Sequence, residues 1–406
     1  MKKIMILAAS AALVLAAGCA KNEVFTPQAD GQHAIGFTNY APKQITKADG
    51  SYASGNTLVD DKKFKVYAFK TANATAFASS LTGATLFMDG VDVTYNTGGD
   101  ADATVNTYSP LRYWPSGDTP DKLTFWAYYP IQADNGIVYT APSGSNGVGS
   151  YAFTAAATSA EMVDFMVADV KNDMYYGTTG SHPVAVNGVV PFTFKHQLTK
   201  VAFVFQTDTD DACTKVVLTG AELANIRTTG TLSTTYATGT TTTSWNDSED
   251  TPDDYSITIS GSSISASVLP LKSTPPADPT AIGGAASDIF LMVPQTLEAS
   301  GGSDPQTLTL TWDVKTFDTS SNASTYGATQ TTVGSNGLLS ITHNSKVLYL
   351  NGDCMTTYGG ATPTTFNWEK NGNVLYTITV GPKPIRFTAT VTAWDDPVTN
   401  GYINVQ

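Results

Sequence analysis

Apolar and polar residues alternate along this chain in one short run after another. Phe64-Lys65-Val66-Tyr67-Ala68-Phe69 and Leu123-Thr124-Phe125-Trp126-Ala127-Tyr128-Tyr129-Pro130 open the series, and Val201-Ala202-Phe203-Val204-Phe205, Leu308-Thr309-Leu310-Thr311-Trp312 and Leu375-Tyr376-Thr377-Ile378-Thr379-Val380 continue it. These runs are rich in β-branched and aromatic residues, which suit a pleated, half-buried surface. Turn formers stand between them, among them Asn96-Thr97-Gly98-Gly99-Asp100, Ser116-Gly117-Asp118, Asn336-Gly337 and Asn371-Gly372. Short strands punctuated in this way predict an all-β chain of antiparallel sandwiches. Residues 159–165 are the one stretch that admits a short helix. No strand–helix alternation is present, which disfavours a doubly wound nucleotide-binding fold.

With 406 residues the chain exceeds one sandwich, since domains run to roughly 100–200 residues. The Gly/Ser/His/Pro-containing stretch 177–188 is the expected junction, giving an N-terminal sandwich over 33–186 and a C-terminal one over 187–406. Residues 230–254 and 273–287 then read as long loops of the second domain. Hydrophobic residues make up 41% of the chain, enough for a substantial core. Charged residues make up only 14%, against about 25% in an average soluble protein, so long solvated helices laced with ion pairs are largely excluded. The net charge of -13 argues against nucleic acid or an anionic membrane surface as partner.

The N-terminus sets the compartment. Met1-Lys2-Lys3 precedes an apolar stretch over residues 4–17, shorter than the roughly 20 residues a permanent spanning helix needs. It ends Leu15-Ala16-Ala17-Gly18-Cys19. Small residues before a cysteine suit a bacterial lipoprotein signal peptidase, although Ala16 stands where that site usually has Leu. On this reading residues 1–18 are a signal peptide, Cys19 carries the lipid that tethers the chain to a membrane, and residues 19–32 are a tether. Each buried CH₂ of an acyl chain contributes about 0.8 kcal/mol to anchoring. Ordinary secretion, with cleavage near Ala17 or Ala20, is the plainer alternative. Cys213 and Cys354 are not a disulfide framework; one bridge, or two small buried hydrophobes, are both open.

Searches for bond chemistry find little. The chain has no Gly-x-Ser-x-Gly elbow, phosphate loop or His-Glu-x-x-His. His33, His182, His196 and His343 lack ligand spacing, and His196, between two strand-like runs, reads as a hydrogen-bonded structural residue. A calcium loop counted from Asp208 puts Cys213 where Gly is required and Thr219 where the bidentate Glu belongs, so the acidic clusters read as solvated turns. A carboxylate pair for glycoside hydrolysis leaves no local spacing to read and stays a minor alternative. The six tryptophans read as packing rather than a sugar platform. No cofactor or metal is implied and no enzyme is expected.

The two ends say more. In His33-Ala34-Ile35-Gly36-Phe37-Thr38-Asn39-Tyr40, Ile35 and Phe37 fall on one face of a strand, and a polar segment follows. Near the other end Ile385, Phe387, Ala389, Val391 and Ala393 occupy every second position. Both stretches carry Ile-x-Phe, and spacing alone reads them as two ordinary edge strands. Further motifs are Tyr113-Trp114-Pro115, the 123–130 run, Phe194-Lys195-His196-Gln197-Leu198-Thr199-Lys200-Val201, Met292-Val293-Pro294-Gln295 and Trp394. Taken in order with the lipoprotein start and the basic site before Asp49-Gly50, the chain resembles the fimbrillins of gut and oral anaerobic bacteria, the lipoprotein precursors of type V pili.

The resemblance implies two tandem transthyretin-like antiparallel β-sandwiches, exported as an outer-membrane lipoprotein to the cell surface. In that family a trypsin-like protease cuts after a basic residue and removes the anchor with the first strand. The site carried over is Lys47, with Lys43 second, although family members usually have Arg there. Loss of residues up to 47 strips out Ile35 and Phe37 and leaves an apolar groove that a strand from another subunit fills by β-strand addition. The candidate donor is Ile385, Phe387, Ala389, Val391 and Ala393, with Tyr402-Ile403-Asn404-Val405-Gln406 as the second choice. If residues 385–393 are needed in their own domain, an anchor or tip role follows. The implied function is that of a fimbrial subunit, or an accessory anchor or tip subunit, that serves adhesion. Its partners are other fimbrial subunits and a host or bacterial surface ligand. A non-polymerising surface glycan-binding lipoprotein is the alternative.

Overall fold

The alternating runs form strands, and the 122–129 run shows why alternation fails in the middle of a sheet. Every residue from Leu123 to Tyr129 is buried. Phe125 and Ala127 pack on one face with Phe64, Val66, Phe192 and Phe194, while Trp126 and Tyr128 pack on the other with Tyr67, Tyr151 and Phe165. A strand covered on both faces reads as a continuous apolar run.

The computed structural model describes residues 32–40, 63–78, 81–94, 106–131, 136–142, 148–180, 183–237, 239–246, 252–256, 267–269, 289–298, 301–351, 367–381 and 386–393. In chain order the strands begin β1 (Gly36–Tyr40), β2 (Lys63–Thr71), β3 (Ala84–Thr94), β4 (Lys122–Tyr129), β5 (Ile137–Thr140), β6 (Gly149–Thr154), β7 (Met166–Ala168), β8 (Lys171–Gly177), β9 (Val184–Val186) and β10 (Val189–His196). They continue with β11 (Thr199–Thr207), β12 (Thr214–Arg227), β13 (Thr229–Ala237), β14 (Thr240–Asn246), β15 (Pro252–Ser256), β16 (Ser267–Val268), β17 (Ile289–Met292), β18 (Gln295–Thr296) and β19 (Thr307–Phe317). β20 (Leu338–Tyr349), β21 (Asn367–Trp368), β22 (Gly372–Val380) and β23 (Arg386–Ala393) complete the order.

The first sheet runs β1-β10-β7-β4-β2-β3, with β8 and β9 attached beside β4. Among the described residues four further sheets are ordered β14-β13-β6-β5, β17-β11-β22-β23, β15-β12-β19-β20 with β16 beside β12, and β18-β21. Most neighbours are antiparallel, while β1 with β10, β8 with β9 and β11 with β22 are parallel. One apolar cluster lies on the β1 face of the first sheet. A larger one continues from Tyr67 and Trp126 through Leu198 and Phe203 to Leu310 and Tyr376. The fold is an all-β sandwich architecture.

Three expectations about organisation meet a different arrangement. The expected division at 186/187 puts residues 189–196 in the second sandwich, yet β10 hydrogen-bonds into the first sheet beside β1 and β7. The glycine-containing stretch 177–188 lies between strands of this one sheet system, where β8 pairs in parallel with β9 and Gly188 turns the chain into β10, so its composition does not mark a domain junction. The described part of the expected loop 230–254 contains the β13–β14 hairpin. Its buried positions are Gly230, Leu232, Thr234 and Tyr236, so threonine carries a pattern that hydrophobicity does not reveal. Residues 159–161 make a single 3₁₀ turn, while the α-helix is Ser320–Tyr326, a polar segment with only Ala323 buried. Thr319 caps it, its hydroxyl accepting from Asn322 N at 3.2 Å, which is a local signal no apolar stripe announces.

Candidate functional site: a strand seated in a walled groove

β1 lies at the end of its sheet, yet it is walled on both sides. On one side it runs parallel to β10, in register from Gly36 opposite Val189 to Tyr40 opposite Thr193. On the other side the segment 106–114 closes over it. Trp114 N donates to His33 O and Ile35 N to Arg112 O, both at 2.9 Å. The Tyr108 hydroxyl donates to Ile35 O at 2.8 Å, and Asn106 Nδ2 to Phe37 O at 2.7 Å.

The floor of the groove is apolar and aromatic. Ile35 and Phe37 are both 0% exposed. The Phe37 ring stacks with Phe192 at 5.7 Å and meets Tyr108 at 5.3 Å and the edge of Phe125 at 6.0 Å. Alternation in Ile35-Gly36-Phe37 sends both large side chains to this face, as period two requires. Burial pushes the Tyr108 hydroxyl up to about 12, so it keeps its proton, and its role as donor, at physiological pH.

The mouth of the groove rests on a tight turn. Asn187 and Gly188 have φ of 54° and 79°, and Gly188 O accepts both Gly36 N and Trp114 Nε1 at 2.9 Å. A Cβ on Gly188 would come within 2.8 Å of Ala34 O, so backbone approach and positive φ both demand glycine there. Beside it His33 stacks on Tyr176, ring centroids 3.6 Å apart and planes nearly parallel at 7°.

The other sequence-predicted residues fall elsewhere. Phe387, Ala389, Val391 and Ala393 lie on β23, antiparallel to β22 from Gly372 opposite Ala393 to Thr379 opposite Arg386. β23 and β1 belong to different sheets, so the structure does not bring the two Ile-x-Phe segments together. Cys19, Lys43, Lys47, Ile385, Trp394 and the tail 402–406 lie outside the described residues, as does Cys354; Cys213 is a free thiol. His196 Nδ1 is 2.7 Å from Asp164 Oδ2, with both side chains fully buried. Asp211 closes its own turn, accepting from Cys213 N at 2.9 Å and from the Thr214 hydroxyl at 2.7 Å. Trp114, Trp126, Trp312 and Trp368 are buried.

Sequence reading missed Asn106, Tyr108 and Arg112. They sit on a segment without alternation, and only the adjacent Tyr113-Trp114-Pro115 marked the region. Among the described residues no three His, Cys, Asp or Glu side chains gather where they could hold a metal ion, and no helix is long and apolar enough to cross a membrane.

Fold and groove together define an all-β sandwich protein with a docked edge strand as its distinctive feature. The fold is similar to that of a fimbrial protein from Bacteroides vulgatus, at 15% identity and a TM-score of 0.54, over 89% of this chain and 99% of that one. A looser likeness, TM-score 0.38 at 10% identity, links 89% of this chain to the whole of a C-terminally truncated tip fimbrial protein, Mfa3, from Porphyromonas gingivalis (100% of that chain). No curated protein sequence matches. The model of the fimbrillin-like family matches residues 46–394, and the chain belongs to that family. Membership places it among cell-surface fimbrial and adhesion proteins, which are structural proteins and not enzymes.

Proposed function

We propose that this chain is a subunit of a surface fimbrium, or an accessory anchor or tip subunit, assembled by strand replacement in the β1 groove. It is delivered as an outer-membrane lipoprotein through Cys19, with two tandem transthyretin-like sandwiches. Cutting after Lys47 leaves β1 held by non-covalent contacts alone. Another subunit then supplies a strand, either the Ile385, Phe387, Ala389, Val391, Ala393 segment, which must first leave its pairing with β22, or the tail at 402–406; if β23 stays in its own sheet, the anchor or tip role follows.

The observation that carries this reading is the seating of β1. Phe37 and the adjoining Ile35 are fully buried, the strand is walled by β10 and by 106–114, and only residues 41–62 join it to β2. Such a strand is separable without cutting through the sheet. While in place it also covers an edge that would otherwise template aggregation. The family match begins at residue 46, beside Lys47 and after β1, which is consistent with a mature unit that starts there. The glycan-binding alternative has less support, because Trp114, Trp126, Trp312 and Trp368 are buried, leaving the half-buried Trp245 as the one described tryptophan with a partly open face.

N-terminal sequencing of sheared surface material tests the reading. A start at Ala48, lost in Lys47→Ala, is expected. A lipid-blocked start at Cys19 in assembled material, or cysteine cross-links at Phe387 and Val405 that both fail to give ladders, would remove the polymer proposal.

A further inference from the structure

Successive residues of a strand turn their backbone groups to opposite sides. The amide of Gly36 faces β10 and donates to Gly188 O, so the backbone groups of Ile35 and Phe37 face away from β10. At an ordinary edge they would meet water. Here the amide of Ile35 meets a backbone carbonyl, that of Arg112, but the two carbonyls are met by side chains: Ile35 O by the Tyr108 hydroxyl and Phe37 O by Asn106 Nδ2. Both donors are buried, at 9% and 2% exposed.

Carbonyls at i and i+2 recur about every 6.6–6.8 Å along a strand, so two fixed donors facing them act as a ruler. A slip of one residue turns those carbonyls to the wrong side and carries the apolar side chains to the opposite face. A slip of two puts Asn39 where Phe37 packs against Phe192 and Phe125. From this geometry we infer that Asn106 and Tyr108 are positioning residues that set the register of whichever strand lies in the groove, so that the Ile385-x-Phe387 segment of a second copy, the donor proposed above, takes the register of Ile35-x-Phe37. The two stretches, Ile35-Gly36-Phe37-Thr38 and Ile385-Arg386-Phe387-Thr388, agree at three of four positions, differing only at the second. The part concerning the incoming strand rests on the function proposed above; the part concerning β1 does not.

The test uses the full-length chain and hydrogen exchange resolved to residues 33–40. Tyr108→Phe removes one oxygen and leaves the ring, and Asn106→Leu removes the other donor at similar volume. Each is expected to speed exchange in 33–40 about tenfold, the scale of one lost buried hydrogen bond, while β12 and β19 stay unchanged. Unchanged exchange of 33–40 in folded Tyr108→Phe overturns the clamp; should Asn106→Leu fail to fold, Tyr108→Phe decides alone.

A second arm adds fluorescent peptides of sequence 385–393 to full-length chain during protease cleavage. Binding of the natural peptide, with loss on moving the Phe from i+2 to i+3 and weakening in Tyr108→Phe, supports register selection. Equal binding of both spacings overturns it. If neither peptide binds while the exchange effect holds, the strand-acceptor reading and the partner assignment fall together, and the clamp on β1 stands.

Discussion

Phe37→Ala in the intact precursor is the sharpest probe of how β1 is held. The side chain is 0% exposed and touches three aromatic rings, those of Phe192, Phe125 and Tyr108. Truncating a buried Phe costs about 3–5 kcal/mol, the lost transfer energy together with the cavity left behind. At about 1.4 kcal/mol per decade this raises the equilibrium for local release of β1 by roughly a hundredfold to a few thousandfold. Because β1 is an edge strand, the loss is expected to fall on that release and not on unfolding of the sheet beneath it. The assay is clipping of residues 33–40 by thermolysin under native conditions, with thermal unfolding measured in parallel. Clipping should accelerate by that factor, while the main unfolding transition moves by only a few degrees. Clipping at the original rate would refute the burial of Phe37. A collapse of the main transition with no faster clipping would show instead that β1 is an inseparable part of the first sandwich.

Three further outcomes follow from the same geometry. Gly188→Ala should loosen the mouth of the groove by about 1–2 kcal/mol, the cost of positive φ for a residue with a Cβ, read as a lower melting temperature; an unchanged value refutes the turn's role. Tyr108, raised from 10.0 to about 12 by burial, binds its proton more tightly folded than unfolded. Its contribution is therefore complete below about pH 10 and is lost as pH rises through about 12, so wild type should lose more stability across that window than Tyr108→Phe in pH-dependent denaturation. Equal alkaline slopes would contradict this. Asp164→Ala should cost about 1–3 kcal/mol in chemical denaturation by removing a polar partner of the buried His196 ring; a loss under about 0.5 kcal/mol would mean the pair contributes little.

The strand character of the segment around Ile35 and Phe37 was legible in the sequence, while the groove around it was not. Ile35 and Phe37 lie one residue apart in a short strand-like segment, and period two sends both to a single face whatever the surrounding fold. Lys122–Tyr129 was legible as a strand, but its burial on both faces was not, because the run reads as alternation until the sheet neighbours on each side are known. The β13–β14 hairpin was not, since threonine is polar by hydropathy yet suits a strand by shape. The helix Ser320–Tyr326 was not either, because a cap at Thr319 starts it in the absence of an apolar stripe.

What local pattern determined here is which residues are strands and which of their faces are apolar, since both properties depend on side chains two positions apart. What only the tertiary structure decided is pairing. That β1 runs parallel to β10, that β10 joins the first sheet beside β7, and that Asn106 and Tyr108 close the far wall of the groove bring together residues about 30 to 150 positions apart in sequence. Pairing of this kind is settled by which buried surfaces and backbone groups can be satisfied together across the whole molecule, a condition that no single window of residues contains.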